Sequence, residues 1–165
     1  MGTLSCGQTA IVPVWPQQEH ICMDDKQPMV FEDLPIGEEF ADEYVLTPDL
    51  ARDYAEGIAD ANPWYLEHSP FGGPVANPIL IVAQHARLFK TKYITAGNVH
   101  IRHETQFLNP ARLGKVIKVY GKLVEKYLKR GREYLVMECR SVDEDGIEIC
   151  RDRRTIITHY AKRPE

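Results

Sequence analysis

The sequence predicts an α+β domain in which a long antiparallel meander closes on one buried helix. Three observations carry that reading. A run of 165 residues suits one domain and leaves little room for a second. The segment 79–89 is apolar nearly all round at its start, and a helix of that composition has to be covered. The last third of the chain alternates with period two and is broken by tight turns, which is the pattern of hairpin-linked, half-buried strands.

The elements follow in order. Residues 1–30 carry prolines at 13, 16 and 28 and no sustained period, and read as an irregular arm ahead of a domain spanning 31–165. A short strand is expected at 43–46. Thr47, Pro48 and Asp49 then mark a helix start: the threonine caps free N–H groups, proline tolerates the first turn, and aspartate suits the helix dipole. That helix should run to about residue 59, with Leu50, Tyr54 and Ile58 on one face. Residues 60–78 hold prolines and a Gly-Gly pair and read as loop. Pro78 opens the buried helix, in which Ile79, Leu80, Val82, Ala83, Leu88 and Phe89 are expected inside. Strands are expected at 99–108, 115–128, 134–142 and 147–160. In the second of these Ile117, Val119, Gly121 and Leu123 face one way, and Lys118, Tyr120 and Lys122 the other.

Composition excludes several function classes. The net charge of −4 does not favour non-specific nucleic-acid binding. The longest apolar run, 79–83, is far short of the roughly 20 residues that span a bilayer. The N-terminus lacks the basic start and apolar core of a signal peptide, so a cytoplasmic location is expected. Cysteines lie at 6, 22, 139 and 150 with no Cys-x-x-Cys spacing; reduced thiols and no metal are expected.

The chemistry-bearing segment is Asp60-Ala61-Asn62-Pro63-Trp64-Tyr65, followed by Phe71-Gly72-Gly73-Pro74-Val75-Ala76-Asn77-Pro78. The first stretch resembles the Asp-x-Asn-Pro-x-His signature of the MaoC-like, (R)-specific enoyl-CoA hydratases. The second lies where those enzymes have Phe-x-x-x-Ile-x-His-Gly leading into a buried helix. The opening 31–37 also looks like that family's entry strand, so the resemblance covers about residues 31–160. It implies a hot-dog fold: a curved antiparallel sheet wrapped around a central helix. It also implies an acyl-CoA or acyl-carrier-protein thioester as substrate and no cofactor. In the family, the Asp and His hold one water between them and add or remove it across an enoyl or 3-hydroxyacyl thioester. A glycine N–H at the helix N-terminus polarises the carbonyl.

Here that pattern breaks three times. Asp60 and Asn62 are kept, but the histidine is Tyr65, the second histidine is Asn77, and the glycine is Pro78. A phenol of pKa near ~10 is a poor base at neutral pH. Proline has no N–H to donate. The altered set resembles the non-catalytic, substrate-holding half or subunit of double hot-dog 3-hydroxyacyl-thioester dehydratases. The resemblance therefore implies a homodimer or a heterodimer with a catalytic hot-dog subunit. Asp60 and Tyr65 are the candidate catalytic positions; Asn62, Gly73, Val75, Ala76, Asn77 and Pro78 are the candidate substrate-binding positions. A self-sufficient homodimeric hydratase using Asp60 with Tyr65 or His68 is the first rival reading, and a hot-dog acyl-CoA thioesterase the second.

Other residues have plainer readings. His85 sits on the buried helix and reads as a satisfied core histidine. His100 and His103, three apart in one strand, should point to opposite faces. Lys118, Lys122, Lys126, Lys129, Arg130 and Arg132 read either as a solvated face or as a cradle for coenzyme A phosphates.

Overall fold

A computed structural model describes residues 26–95 and 97–160. Most of the expected arm, with Cys6 and Cys22, lies outside the described residues. The part that is described belongs to the domain: β1 (Gln27–Pro28) pairs in parallel with β3 (Tyr93–Ile94), and Met29 is buried.

The remaining elements are β2 (Glu39–Val45), α1 (Pro48–Gly57), α2 (Pro63–Leu66), α3 (Pro78–Gln84), α4 (Leu88–Lys92), β4 (Val99–Phe107), β5 (Val116–Lys129), β6 (Arg132–Asp143) and β7 (Glu148–Ile157). Five strands form one antiparallel sheet in the order β2-β5-β6-β7-β4. The helical run α3–α4, joined by a 3-10 turn at His85–Arg87, lies across one face of that sheet. The core is what the helix and the sheet bury between them: Leu80, Ile81 and Leu88 against Ile117, Val119, Leu123, Leu135, Met137 and Ile156. This is the α+β hot-dog arrangement.

Gly121 shows how closely the layers approach. A Cβ there would lie 2.6 Å from Leu88 Cδ1 and 2.9 Å from Met137 Cε. The helix reaches the middle of β5 because that position has no side chain.

Period-two reading holds on β5, where Ile117, Val119, Gly121 and Leu123 are buried and Lys118 and Lys122 exposed. On the helices the burial differs from expectation. Ile79 is 53% exposed and Ala83 is also exposed, while Gln84 and His85 are inside. The helix presents one side to solvent, and the inner side is filled by Gln84, against expectation, and by His85, in line with it. In α1 the buried face is Leu50, Ala51 and Ala55, and Ile58 is exposed, because the helix ends at Gly57.

Candidate functional site

The motif segment begins at the end of α1. Ala59 adopts φ 54°, its N–H donates to Glu56 O at 3.0 Å, and Asp60 N–H donates to Ala55 O at 2.8 Å. This left-handed cap turns the chain sharply and sets the direction of Asp60. Asp60 Oδ1 then accepts the N–H of Asn62 at 3.1 Å, and Asn62 Oδ1 accepts that of Trp64 at 3.0 Å. Asn62 is the N-cap of α2, the single turn inside what reads from sequence as loop.

The second stretch comes back to the first. Val75 N–H donates to Trp64 O at 2.9 Å, and Ala76 N–H to Ala111 O at 2.9 Å. Asn77, 5% exposed, is the N-cap of α3. Its Oδ1 accepts the N–H of Ile79 at 2.9 Å, and its Nδ2 donates to Asp60 Oδ2 at 3.1 Å. Asp60, Asn62 and Asn77 thus form one hydrogen-bonded chain. Tyr65 belongs to the same neighbourhood: burial pushes its phenol up, and the Asp60 carboxylate adds to that rise. Both causes make it a weaker acid and leave it protonated at neutral pH.

The helix N-terminus has little left to offer a ligand. Pro78 has no N–H, the Ile79 N–H is taken by Asn77 Oδ1, and the Leu80 N–H donates to Asn77 O at 3.0 Å. Gly73 and Val75 stand slightly apart. With Phe71, Pro74, Arg112 and Leu113 they line a cavity of about 230 Å3, whose lining includes neither Asp60 nor Tyr65. His68, the substitute base of the rival reading, is solvated; its side chain is 81% exposed, and its Nδ1 lies 3.8 Å from Glu67.

Three of the basic residues of β5 and its turn have local partners. Lys122 pairs with Glu39 at 3.2 Å, Lys126 donates to the carbonyls of Phe31 and Glu32, and Arg132 lies over the ring of Tyr160. Lys122 lines a cavity of about 570 Å3 together with Arg140, Arg151 and Arg153, whereas Lys118 lines a different one.

A second polar cluster lies under the helix. His85 is 1% exposed; its Nε2 is 2.8 Å from Ser141 Oγ and its Nδ1 3.4 Å from Asp152 Oδ2. Asp152 also accepts from Arg154 Nε at 2.9 Å and from Thr105 Oγ1 at 2.9 Å, and lies 3.5 Å from His103 Nδ1. Burial holds the His85 imidazole below its usual pKa, whereas Asp152, despite burial, is held well below the carboxylate range by His85, Arg154 and Thr105. His85, Cys139 and Asp152 bring potential ligand atoms within 4.8 Å of one another. The guanidinium already on Asp152, and a Cys139 thiol pushed up to about 12 by burial, oppose a cation there.

The partners of His85 leave a signal in the sequence. Cys150, Asp152, Arg154 and Ile156 share one face of β7, and all are buried. Apolar residues at both ends of that row place the Asp and Arg between them in the core. The expectation for His100 and His103 is overturned. A register shift between His100 and Arg102 brings both imidazoles to one side, with ring centroids 5.1 Å apart. One extra residue in a strand cancels the parity argument.

No protein-family model matches the chain, and no curated protein sequence matches it either. Solved structures do match. The chain aligns with the unliganded R-hydratase PhaJ1 from Pseudomonas aeruginosa at a TM-score of 0.71 and 19% identity, covering 85% of this chain and 96% of that one. A MaoC-like dehydratase from Rhodospirillum rubrum aligns at 0.64 and 23% identity, over 81% and 97% of the two chains. The HadBC 3R-hydroxyacyl-ACP dehydratase complex from Mycobacterium tuberculosis aligns at 0.60 and 14%, over 74% and 96%. The chain has the hot-dog fold of MaoC-like dehydratases and (R)-hydratases, and the resemblance read from its motif is met at the level of the fold.

Proposed function

We propose that this chain is a subunit of an enoyl-thioester hydratase or 3-hydroxyacyl-thioester dehydratase that holds the acyl-CoA or acyl-carrier-protein chain while an intact hot-dog partner carries out the chemistry. One observation carries this reading: the N-terminus of α3 is internally occupied. Hydration of an enoyl thioester develops negative charge on the carbonyl oxygen, and a helix N-terminus stabilises it only through a free N–H. In this chain that N–H is missing at Pro78 and engaged at Ile79 and Leu80.

The other positions agree. Asp60 is occupied by Asn62 and Asn77 rather than by a base, and Tyr65 stays protonated. Assembly is supported by the sheet edge. Among the described residues β4 has one neighbour, β7, and nearly every residue of it is exposed. An open edge of this kind is a template on which another chain can pair.

The test is turnover of a short enoyl-CoA by the purified chain, alone and after co-expression with a hot-dog subunit carrying an intact Asp-x-Asn-Pro-x-His motif. The lone chain should be slower than the pair by a factor of ~100 or more, the usual cost of one lost oxyanion donor. Rapid turnover by the lone chain, abolished by Asp60→Asn, would establish the self-sufficient hydratase instead.

A further inference from the structure

The region past the middle of the helical run holds a polar cavity that the proposed acyl site does not use. It lies between the helix and strands β4 and β7 and measures about 300 Å3. Its floor is formed by buried Arg154, His85 and Phe89; Lys90, Asn98 and His100 stand nearer the solvent. No aspartate or glutamate is among its described lining residues.

Arg154 is 2% exposed and only partly satisfied. Nε donates to Asp152 Oδ2 at 2.9 Å and Nη2 to Val82 O at 3.1 Å, but buried Nη1 has no partner among the described residues. Asn98 Oδ1 is in the same condition. Buried polar groups almost always find a partner, and those that do not call for an explanation. Arg154 Nη1 is a donor and calls for an acceptor; the Asn98 oxygen is itself an acceptor, and its side chain meets an anion only with the amide turned so that Nδ2 faces the cavity.

Charge defines the missing partner. Asp152 neutralises much of Arg154, and burial lowers His100 to about 4, with Arg154 and His103 adding to the drop. Lys90 is the one further lining cation among the described residues. A singly charged group matches this balance better than a phosphate dianion. The walls at Ala86, Phe89 and Ile156 are apolar, so the remainder of the ligand should be hydrocarbon.

We propose that this cavity binds a small organic carboxylate, with Arg154 as its buried hydrogen-bond donor and Lys90 and His100 at its outer edge. The site is separate from the Asp60–Asn77 cluster. His85 lies eight residues beyond Asn77 on the same run, about 12 Å at 1.5 Å per residue. The proposal therefore does not depend on the acyl-holding role.

The experiment is an NMR titration of the full chain with butyrate, and separately with inorganic phosphate, following the His100 ring. Butyrate should shift that resonance saturably. It should also raise the His100 pKa, since a nearby anion favours imidazolium, adding to Asp152 against burial and the charges of Arg154 and His103. Ala86→Phe fills the cavity from an exposed helix position and leaves Arg154 in place. It should weaken butyrate binding by about tenfold or more, roughly 1.4 kcal/mol, without loss of the folded spectrum. Arg154→Met should abolish binding where the variant folds, but Ala86→Phe decides the matter. Absence of a saturable shift, equal binding in Ala86→Phe, or tighter binding of phosphate than of butyrate would each overturn the proposal.

Discussion

The two polar clusters on the helical run use their hydrogen bonds in opposite ways. At the N-terminus of α3, Asp60, Asn62 and Asn77 mostly bond near neighbours and cap backbone N–H groups, at a partly open surface. Beneath the 3-10 turn, His85, Ser141, Asp152 and Arg154 bond to one another across the sheet, fully inside. The first cluster resembles a catalytic site and does the work of turns and caps. The second resembles nothing in the sequence and has the most to lose if a partner is removed. Motif likeness and energetic importance therefore lie in different places in this molecule.

Asp152→Ala should give the largest effect. It leaves Arg154 as a buried, uncompensated charge and removes acceptors from His85 and Thr105. Breaking a buried pair in this way costs about 3–5 kcal/mol. Urea unfolding of this variant against wild type measures it. A loss below about 1 kcal/mol would mean that water reaches the cluster, and would erase the contrast with the Asp60 site.

Acid should act on the same cluster before it acts on the motif. His85 is held below its usual pKa, so the unfolded chain binds a proton that the folded chain resists. Stability is then fully present above the unfolded value of about 6.5 and declines as pH falls below it, by at most about 1.4 kcal/mol per pH unit for one proton. Asp152 is also held low, so its contribution is present above the unfolded value of about 4 and fades below it. Thermal melts between neutral and acid pH should show both phases. His100, held down to about 4, adds to the first phase, so His85→Gln should reduce its slope without abolishing it; an unchanged slope would place the proton elsewhere.

Packing over the second region is tested at Gly121. Gly121→Val forces Leu88 and Met137 away from β5, and overpacking of this kind costs about 1–3 kcal/mol. A neutral result in chemical denaturation would mean that the helix shifts freely on the sheet, contrary to the close approach.

These differences also explain what could be read in advance. The cap at Thr47, the start at Pro78 and the alternation of β5 are local patterns, and each appears in the structure. The Asp60–Asn77 bond spans 17 residues, and it was approachable only through the likeness to a known motif. The His85–Asp152 contact spans 67 residues, so no window of sequence contains it. The row Cys150, Asp152, Arg154, Ile156 gave a period-two clue to half of it. The pairing of His100 with His103 depends on a bulge that composition does not announce.

Asn77→Ala tests the first cluster at a smaller scale. It removes the cap on Ile79 and the donor to Asp60, and a lost cap costs about 1 kcal/mol. The midpoint of urea unfolding should fall modestly, well short of the Asp152→Ala effect. A drop as large as that one would make the motif region an energetic centre after all.

The smallest expected effect is that of Asp60→Asn, and it bears most directly on function. The substitution keeps an acceptor for the Asn62 N–H, and it faces the Asn77 amide with an amide instead of a carboxylate. Surface changes of this size usually stay within about 0.5 kcal/mol. If Asp60 only orders the turn and the acyl pocket, kcat of the assembled enzyme should be unchanged and only KM should move, because the proton-transfer groups sit in the partner. If Asp60 holds the reacting water, kcat should fall by a factor of ~100 or more with stability intact. Measuring kcat, KM and the unfolding midpoint on the same variant separates these outcomes, because turn disruption moves the midpoint and catalysis does not.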